Sequence, residues 1–458
     1  MKSTLLSLCV AALLVPCFAK EPPKTGWDFQ LTDDVTLHLG GDLRTRYETY
    51  NRAILRPDGG MKGPAVQYLR FRTRVWTDLS LGEDISVRLR LVNRVQHYTS
   101  NITNPNNIHR DGATWQFPDE WTLDLAEVEF RRLAGIDGLS LNVGRLNFGF
   151  GNGLIFSEGT PHDQARTSYY DGARLRYKDD VDDLSILVLY NTWKDRAAFI
   201  NDRNRRLRAG DIFTAGLYWT RKQSQAFNFD LYYFFDDIDD HKPNLPERCY
   251  PADMNRSLHT AGARLFGSPD GLDFLEYSVE GALQLGNNAD NRPHQANMLD
   301  ARLLFHLPDA VPYNSSVGVA YTHFSGDRTS TQKGEGWIPV WSACPIWGEN
   351  LIPVAWNSFW SNLNMYQLDY NCKPTEALSF KLRTAACYAV HQSGVAGIGS
   401  GACTGGGNFY GLLTSLFADY KYNDHLSFSA EFSHMTMGDY YRDGHDPNWL
   451  QLQILWTF

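Results

Sequence analysis

Arginine recurs at every second position in two neighbouring stretches of this chain, as Arg70, Arg72 and Arg74 and again as Arg88, Arg90 and then Arg94. Guanidinium groups stay charged and bind carboxylates through forked pairs of hydrogen bonds, so a ladder of them suits a chain of uronate sugars or other anions. A permeant ion must also leave, and several moderate sites serve conduction better than one deep one. The same arginines can instead stiffen a wall by pairing with Asp42, Glu48, Asp78, Glu127 and Glu129. About half of them are expected to be paired in that way, because charges withdrawn from water need partners.

The spacing dictates the element. Successive side chains of a strand point to opposite faces, so Leu69, Phe71 and Val75 oppose the first set of arginines, and Val87, Leu89, Leu91 and Val95 oppose the second. Gln67 to Tyr98 is thus a hairpin with an apolar and a cationic face, turning near Leu81-Gly82-Glu83-Asp84. The two arginine faces coincide only if the turn holds an odd number of residues, most simply three, which sets Arg72 opposite Arg94. In a soluble sandwich the apolar face meets a core; in an outer-membrane barrel it meets lipid and the arginines face the lumen.

The rest of the chain decides between these. Met1 to Ala19 has a lysine, an apolar run from Leu5 to Val15 and Cys17-Phe18-Ala19 before Lys20, the layout of a secretory signal. Acylation at Cys17 is the less favoured reading, with Pro16 beside it. Residues 20–34 are a periplasmic lead-in and 35–458 the folded unit, which no linker or composition shift divides. No later run approaches the roughly 18 apolar residues of a membrane helix. A net charge of −9 argues, on bulk charge, against polyanionic partners such as nucleic acid; local arginine placement counts for more. Cys249, Cys344, Cys372, Cys387 and Cys403 are odd in number and have no metal-type spacing, so neither a metal nor any other cofactor is expected.

Alternating segments follow in a regular rhythm from Val35–Asn51, with Asp42, Arg44, Arg46 and Glu48 on one face, to Asn448–Phe458. Among them are Trp121–Leu133, Leu139–Phe148, Ser168–Tyr177, Leu184–Trp193, Ala226–Phe235 and Phe359–Asn371. Eighteen segments, eight short turns and nine longer loops predict an all-β fold, a single transmembrane antiparallel barrel with short periplasmic turns and long extracellular loops. In the last segment Leu450, Leu452, Ile454, Trp456 and the terminal Phe458 share a face opposite Gln451, Gln453 and Thr457, similar to the closing strands of outer-membrane proteins.

Arg145, Arg174 and Arg176 extend the candidate lining, with Arg264, Arg302 and Arg383 further on. Trp337, Trp341 and Trp347 open a tryptophan-rich loop; flat indoles can stack on sugars or constrict the pore, although a self-packed extracellular loop with an aromatic girdle is the plainer reading. Asp202 to Arg208 can draw anions to the outer mouth or bind lipopolysaccharide phosphates. Asp236, Asp237, Asp239 and Asp240 read as a solvated strand end before a calcium site. No Gly-x-Ser-x-Gly elbow, His-Glu-x-x-His pair or phosphate loop is present, so no catalytic residue is assigned and an outer-membrane hydrolase is a remote alternative.

Val143-Gly144-Arg145, the glycines up to Ile155, and Asp171-Gly172-Ala173-Arg174-Leu175-Arg176-Tyr177 resemble the alginate export family of outer-membrane porins. The resemblance implies an eighteen-stranded monomeric barrel that exports a polyuronate. The expected function is an outer-membrane channel lined by Arg44, Arg46, Arg70, Arg72, Arg74, Arg88, Arg90, Arg94, Arg145, Arg174 and Arg176. It would conduct an anionic polysaccharide outward, with a periplasmic secretion partner; the alternative is a general or nutrient porin taking up small anions or sugars.

Overall fold

The computed structural model describes residues 25–51, 66–99, 115–116, 121–159, 169–192, 194–195, 205–206, 210–240, 256–287, 292–328, 330–342, 360–392, 405–441 and 446–458. Eighteen strands form the wall: β1 (Val35–Asn51), β2 (Val66–Leu81), β3 (Ile85–Tyr98), β4 (Thr122–Phe130), β5 (Leu139–Leu146), β6 (Tyr170–Lys178), β7 (Asp182–Asn191), β8 (Gly210–Lys222) and β9 (Asn228–Asp240) make up the first half. The second half comprises β10 (Arg256–Gly267), β11 (Leu275–Asn287), β12 (Pro293–His306), β13 (Ser316–Phe324), β14 (Leu363–Cys372), β15 (Leu378–Tyr388), β16 (Phe409–Lys421), β17 (Leu426–Met437) and β18 (Asn448–Thr457). Each pairs antiparallel with its sequence neighbours, and β18 returns to β1 from Asp42 opposite Thr457 to Asn51 opposite Asn448. The sheet is a closed barrel, which removes the exposed strand edges that an open sheet must protect. A further strand, Trp27–Thr32, pairs with the start of β1, so part of the expected lead-in extends the sheet.

Alternation explains the two surfaces. Outward residues are large and apolar, with an aliphatic middle between aromatics: Tyr366, Leu368 and Tyr370 on β14, and Tyr388, Leu382 and Phe380 on β15, are all exposed. That is the band and paired girdles of a lipid-facing barrel. Inward positions are mostly polar, and on β18 Gln451, Gln453 and Thr457 are buried while Leu452, Ile454 and Trp456 are exposed, as the period-two pattern requires.

The first hairpin turns through Gly82, Glu83 and Asp84, and Arg72 stands opposite Arg94, in the expected register. Two glycines of β1 leave room for aromatic rings, Gly41 at the closing seam and Gly40 on the β2 side. A Cβ on Gly41 would strike the Phe458 ring and lie 2.9 Å from the Arg74 carbonyl, while one on Gly40 would lie 2.5 Å from the Trp76 indole nitrogen. Gly41 and Phe458 exchange two backbone hydrogen bonds of 2.9 Å there.

Several segment ends differ from the pattern's expectation, and three of them have a visible local reason. The β5 strand stops at Leu146, not Phe148, because Asn147 turns the chain into the barrel: its carboxamide binds both Glu158 and the Gly159 N–H. The β9 strand continues past Phe235 to Asp240, and Asp236 is buried inside, not solvated, accepting hydrogen bonds from Thr214 and Trp341. The β14 strand starts only at Leu363, since Trp360 and Asn362 adopt positive φ of 56° and 51°.

Candidate functional site: an arginine ladder facing an inward loop

On β1 to β3 the arginines lie abreast. Arg44 is in register with Arg72 and Arg72 with Arg94, and Arg46 is in register with Arg70. Like charges directly opposite one another weaken a sheet, so the arrangement needs counter-ions interleaved with it. Asp42 supplies Arg74 at 2.5 Å and Arg72 at 3.4 Å, and Glu48 supplies Arg70 at 3.3 Å and Arg46 at 3.7 Å. Tyr68 donates to Glu48 at 2.5 Å, and Gln453 across the seam accepts from Arg46 at 2.7 Å. Glu127 pairs with Arg88 and Asp124 with Arg90 at 2.9 Å, while Arg94 donates to Gln96 at 2.5 Å. On β6 Arg174 donates to Ser185 at 2.9 Å, and Arg176 pairs with Asp183 at 2.5 Å.

At least eight of the eleven candidate arginines thus have a carboxylate within 4.0 Å, more than the half expected. Sharing nevertheless keeps the region cationic. The inward faces of β1 to β7 bear ten of those arginines against the carboxylates of Asp42, Glu48, Asp78, Asp124, Glu127, Glu129 and Asp183. Asp42 and Glu48 each serve two guanidinium groups.

Arg145 is the exception. It stands in register with Ala126 and Asp171, on the same outward face as the exposed Val143, while Arg174 and Arg176 occupy the opposite alternation of β6. Its guanidinium binds Asp171 at 2.9 Å and the Leu123 carbonyl at 2.7 Å and stacks 3.6 Å from the Tyr169 ring centroid. Its place in the expected lining is therefore corrected to a neutralised pair on the outer face, set by the strand's period of two.

Two connections fold into the barrel. The chain from Asn147 to Gly159 carries Phe148, Phe150, Leu154 and Phe156 inward against Leu187, Leu189, Ile212, Tyr218 and Phe234 of the wall. Phe150 stacks on Tyr218 with centroids 4.3 Å apart. Trp337 and Trp341 are also inside, 2% and 3% exposed, so this part is not a self-packed extracellular loop; Trp347 lies outside the described residues. Trp341 donates its indole N–H to Thr214 at 2.8 Å and Asp236 at 2.9 Å, and Ile338 exchanges two hydrogen bonds with Gln284. The loops are joined where the Trp341 carbonyl accepts the Ser157 N–H at 3.0 Å.

The aromatic residues of the first loop were not anticipated as site residues. A signal exists in β7, where Ile186 to Tyr190 is apolar without interruption, the pattern of a strand covered on both faces. The tip of that loop is tied to a buried polar cluster. Asn152 accepts from Arg264 at 3.1 Å and donates to Ser278 at 3.3 Å; Arg264 also binds Asp230 at 2.6 Å, which accepts from Tyr218 at 2.6 Å. Arg264 and Ser278 belong to β10 and β11, about half the circumference from β2 and β3. Near the base, Glu158 projects where Arg90, Arg74 and Arg72 act on its charge, and burial pushes its carboxyl above the usual carboxylate range against their pull. The loop therefore runs along the inner face of the wall, from its base after β5 past β6 to β9 to its anchor on β10 and β11.

Among the described residues no group of three metal-ligating side chains gathers, and Cys372 and Cys387 are free thiols. Cys249, Cys344 and Cys403, and most of Asp202 to Arg208, lie outside the described residues.

An apolar girdled exterior, a closed even-numbered wall and a polar interior define an outer-membrane β-barrel channel. The chain belongs to the alginate export family, whose model matches residues 35–450. Its fold is similar to that of three Pseudomonas aeruginosa outer-membrane proteins. OccK9 (OpdG) has a TM-score of 0.58 and 10% identity, covering 92% of this chain and 98% of that one. OccD3 (OpdP) has a TM-score of 0.56 and 13% identity, covering 95% and 94%, and OprD a TM-score of 0.54 and 12% identity, covering 95% and 96%. Comparison with curated proteins returns no match.

Proposed function

We propose that this channel conducts an anionic polysaccharide of the uronate type, such as alginate, outward across the membrane. The supporting observation is the surplus of inward arginines on β1 to β7, where two carboxylates each serve two guanidinium groups. A ladder so placed offers a polyuronate successive forked contacts, none deep enough to trap it. The inward Trp337 and Trp341, and Trp347 beyond them, contribute selectivity. Residues 1–19 act as the export signal, the barrel works as a monomer in contact with lipid and lipopolysaccharide, and a periplasmic secretion partner supplies the chain. The protein has no catalytic role.

A second reading, uptake of small anions or sugars as a porin, is favoured by the loop that folds inside the barrel and takes up part of its interior. Single-channel recording of the refolded protein separates the two. Anion selectivity, blocked by uronate oligomers and weakened in Arg70→Gln, Arg72→Gln, Arg88→Gln and Arg90→Gln, is the expected result. Cation preference or indifference to uronates would make the arginines wall structure. Passage of small anions without block by longer oligomers would favour the porin.

A further inference from the structure

The strand Trp27–Thr32 lies outside the closed wall, yet its side chains alternate as a wall strand's do. β18 leaves the edge of β1 at Gly41, where Phe458 ends the chain, and Trp27–Thr32 takes up the same edge beyond it. Trp27 stands opposite Leu39 and Phe29 opposite Leu37. Opposed residues of an antiparallel pair share a face, and the odd positions of β1 point outward, as the exposed Leu43 does. Trp27 and Phe29 therefore point to the lipid side, where they are 55% and 44% exposed. On the other face Asp28 is hydrogen-bonded to His38 at 2.7 Å, and Gln30 accepts from Thr36 at 3.1 Å. The Trp27 ring centroid lies 5.8 Å from that of Phe458, which lies 4.9 Å from that of the exposed Trp456, so the aromatic row on β18 continues onto this strand. At the same end of the barrel the hairpin turns carry exposed apolar residues, Ile136, Val181, Phe227, Phe274, Tyr313 and Tyr422. Between β18 and β1 there is no turn to supply one.

We propose that Trp27–Thr32 is a lipid-facing strand that completes the girdle at the seam, with Trp27 and Phe29 set at the boundary between phospholipid headgroups and acyl chains. The phospholipid leaflet is the partner of this face because the face is continuous, through Phe458 and Trp456, with the lipid-facing band of the wall. The backbone sets the depth. Among the described residues no strand pairs with the far edge of Trp27–Thr32. An open edge is not tolerated in hydrocarbon, whereas headgroups and water satisfy it, and aromatic rings settle at that level. The strand thereby covers the part of the β1 edge that β18 leaves bare and holds the seam at its depth in the membrane. This role needs only the outer-membrane barrel and is independent of the cargo.

The test uses the full mature chain refolded into liposomes of phosphatidylethanolamine and phosphatidylglycerol, with the photoreactive p-benzoylphenylalanine in place of Phe29. The same replacement at Ile454, on the exposed outer face of β18, and at Glu83, in the exposed β2–β3 turn, gives the lipid and water benchmarks. Illumination is expected to leave a covalent phospholipid adduct at position 29, found by mass spectrometry, at a yield close to that at 454 and well above that at 83. A yield at 29 no higher than at 83 would place the strand in water and overturn the proposal. Cross-linking from 29 to a second copy of the chain in place of lipid would also overturn it, making the face a protein interface. The double variant Trp27→Ser with Phe29→Ser is expected to lose the folded, fast-migrating gel band at a lower temperature than wild type, and Asp28→Ser to stay closer to wild type. Equal temperatures for the double variant and wild type would overturn the role at the seam.

Discussion

At Asp42 one buried carboxylate answers two guanidinium groups, Arg72 and Arg74, and carries much of the burden of holding the ladder together. Removing one partner of a buried ion pair costs about 3–5 kcal/mol, since the charges left behind remain out of water. Asp42→Asn is therefore expected to lower the urea midpoint of the folded barrel in liposomes, and to increase anion selectivity in the fraction that folds. Glu158 has a different signature. Burial raises its pKa against the pull of Arg90, Arg74 and Arg72, and Asn147 is its hydrogen-bond donor. The folded protein thus binds this proton more tightly than the unfolded chain, so its contribution to stability falls as pH rises through the window between the ordinary glutamate value and the raised one. Within that window, acidification neutralises Glu158, and the anion-to-cation permeability ratio should rise as pH falls. The same titration in Glu158→Gln should lack the step; a step of equal size there would assign it to another group.

The inward loop from Asn147 to Gly159 has an apolar half, packed on the wall through Phe150 and Phe156, and a polar anchor at Asn152. Arg264→Gln would remove that anchor and leave Asp230 buried with a weakened partner set. The expected outcome is higher, noisier conductance and new protease cleavage within Gly149 to Gly153; an unchanged trace and digest would mean that the aromatic packing alone holds the loop. The seam between β1 and β18 is a second element-level constraint. Gly41→Val would drive its side chain into the Phe458 ring, and the heat-modifiable, fast-migrating band of the closed barrel should be lost on gels. The strands themselves were legible, because a period of two with one lipid-facing side specifies both element and register, down to Arg72 opposite Arg94. Their loop-side ends were not, because Asn147 and Asn362 redirect the chain through contacts made only inside the closed barrel.

For the molecule as a whole, selectivity arising from a field of partly compensated arginines should be salt-dependent. The Debye length shrinks from about 10 Å at 0.1 M to about 3 Å at 1 M. The permeability ratio measured in salt gradients should therefore fall steeply over that range, whereas a ratio independent of ionic strength would point to steric sieving by the loops. What the sequence by itself determined was everything that depends on alternation along one strand: the eighteen-strand count, the apolar belt, the shared face of Arg44 to Arg94, and the closing face ending in Phe458. Family membership was also legible, in the Val143 to Tyr177 motifs. Alternation likewise placed Arg145, but outward, a consequence visible only once its partners Ala126 and Asp171 fixed the register. Tertiary structure alone decided the rest. Which carboxylate serves which arginine, and the meeting of Phe156 with Trp341 and of Asn152 with Arg264, depend on bringing distant parts of the chain together inside a closed barrel. No local periodicity encodes that distance; it follows from the circumference the strands enclose.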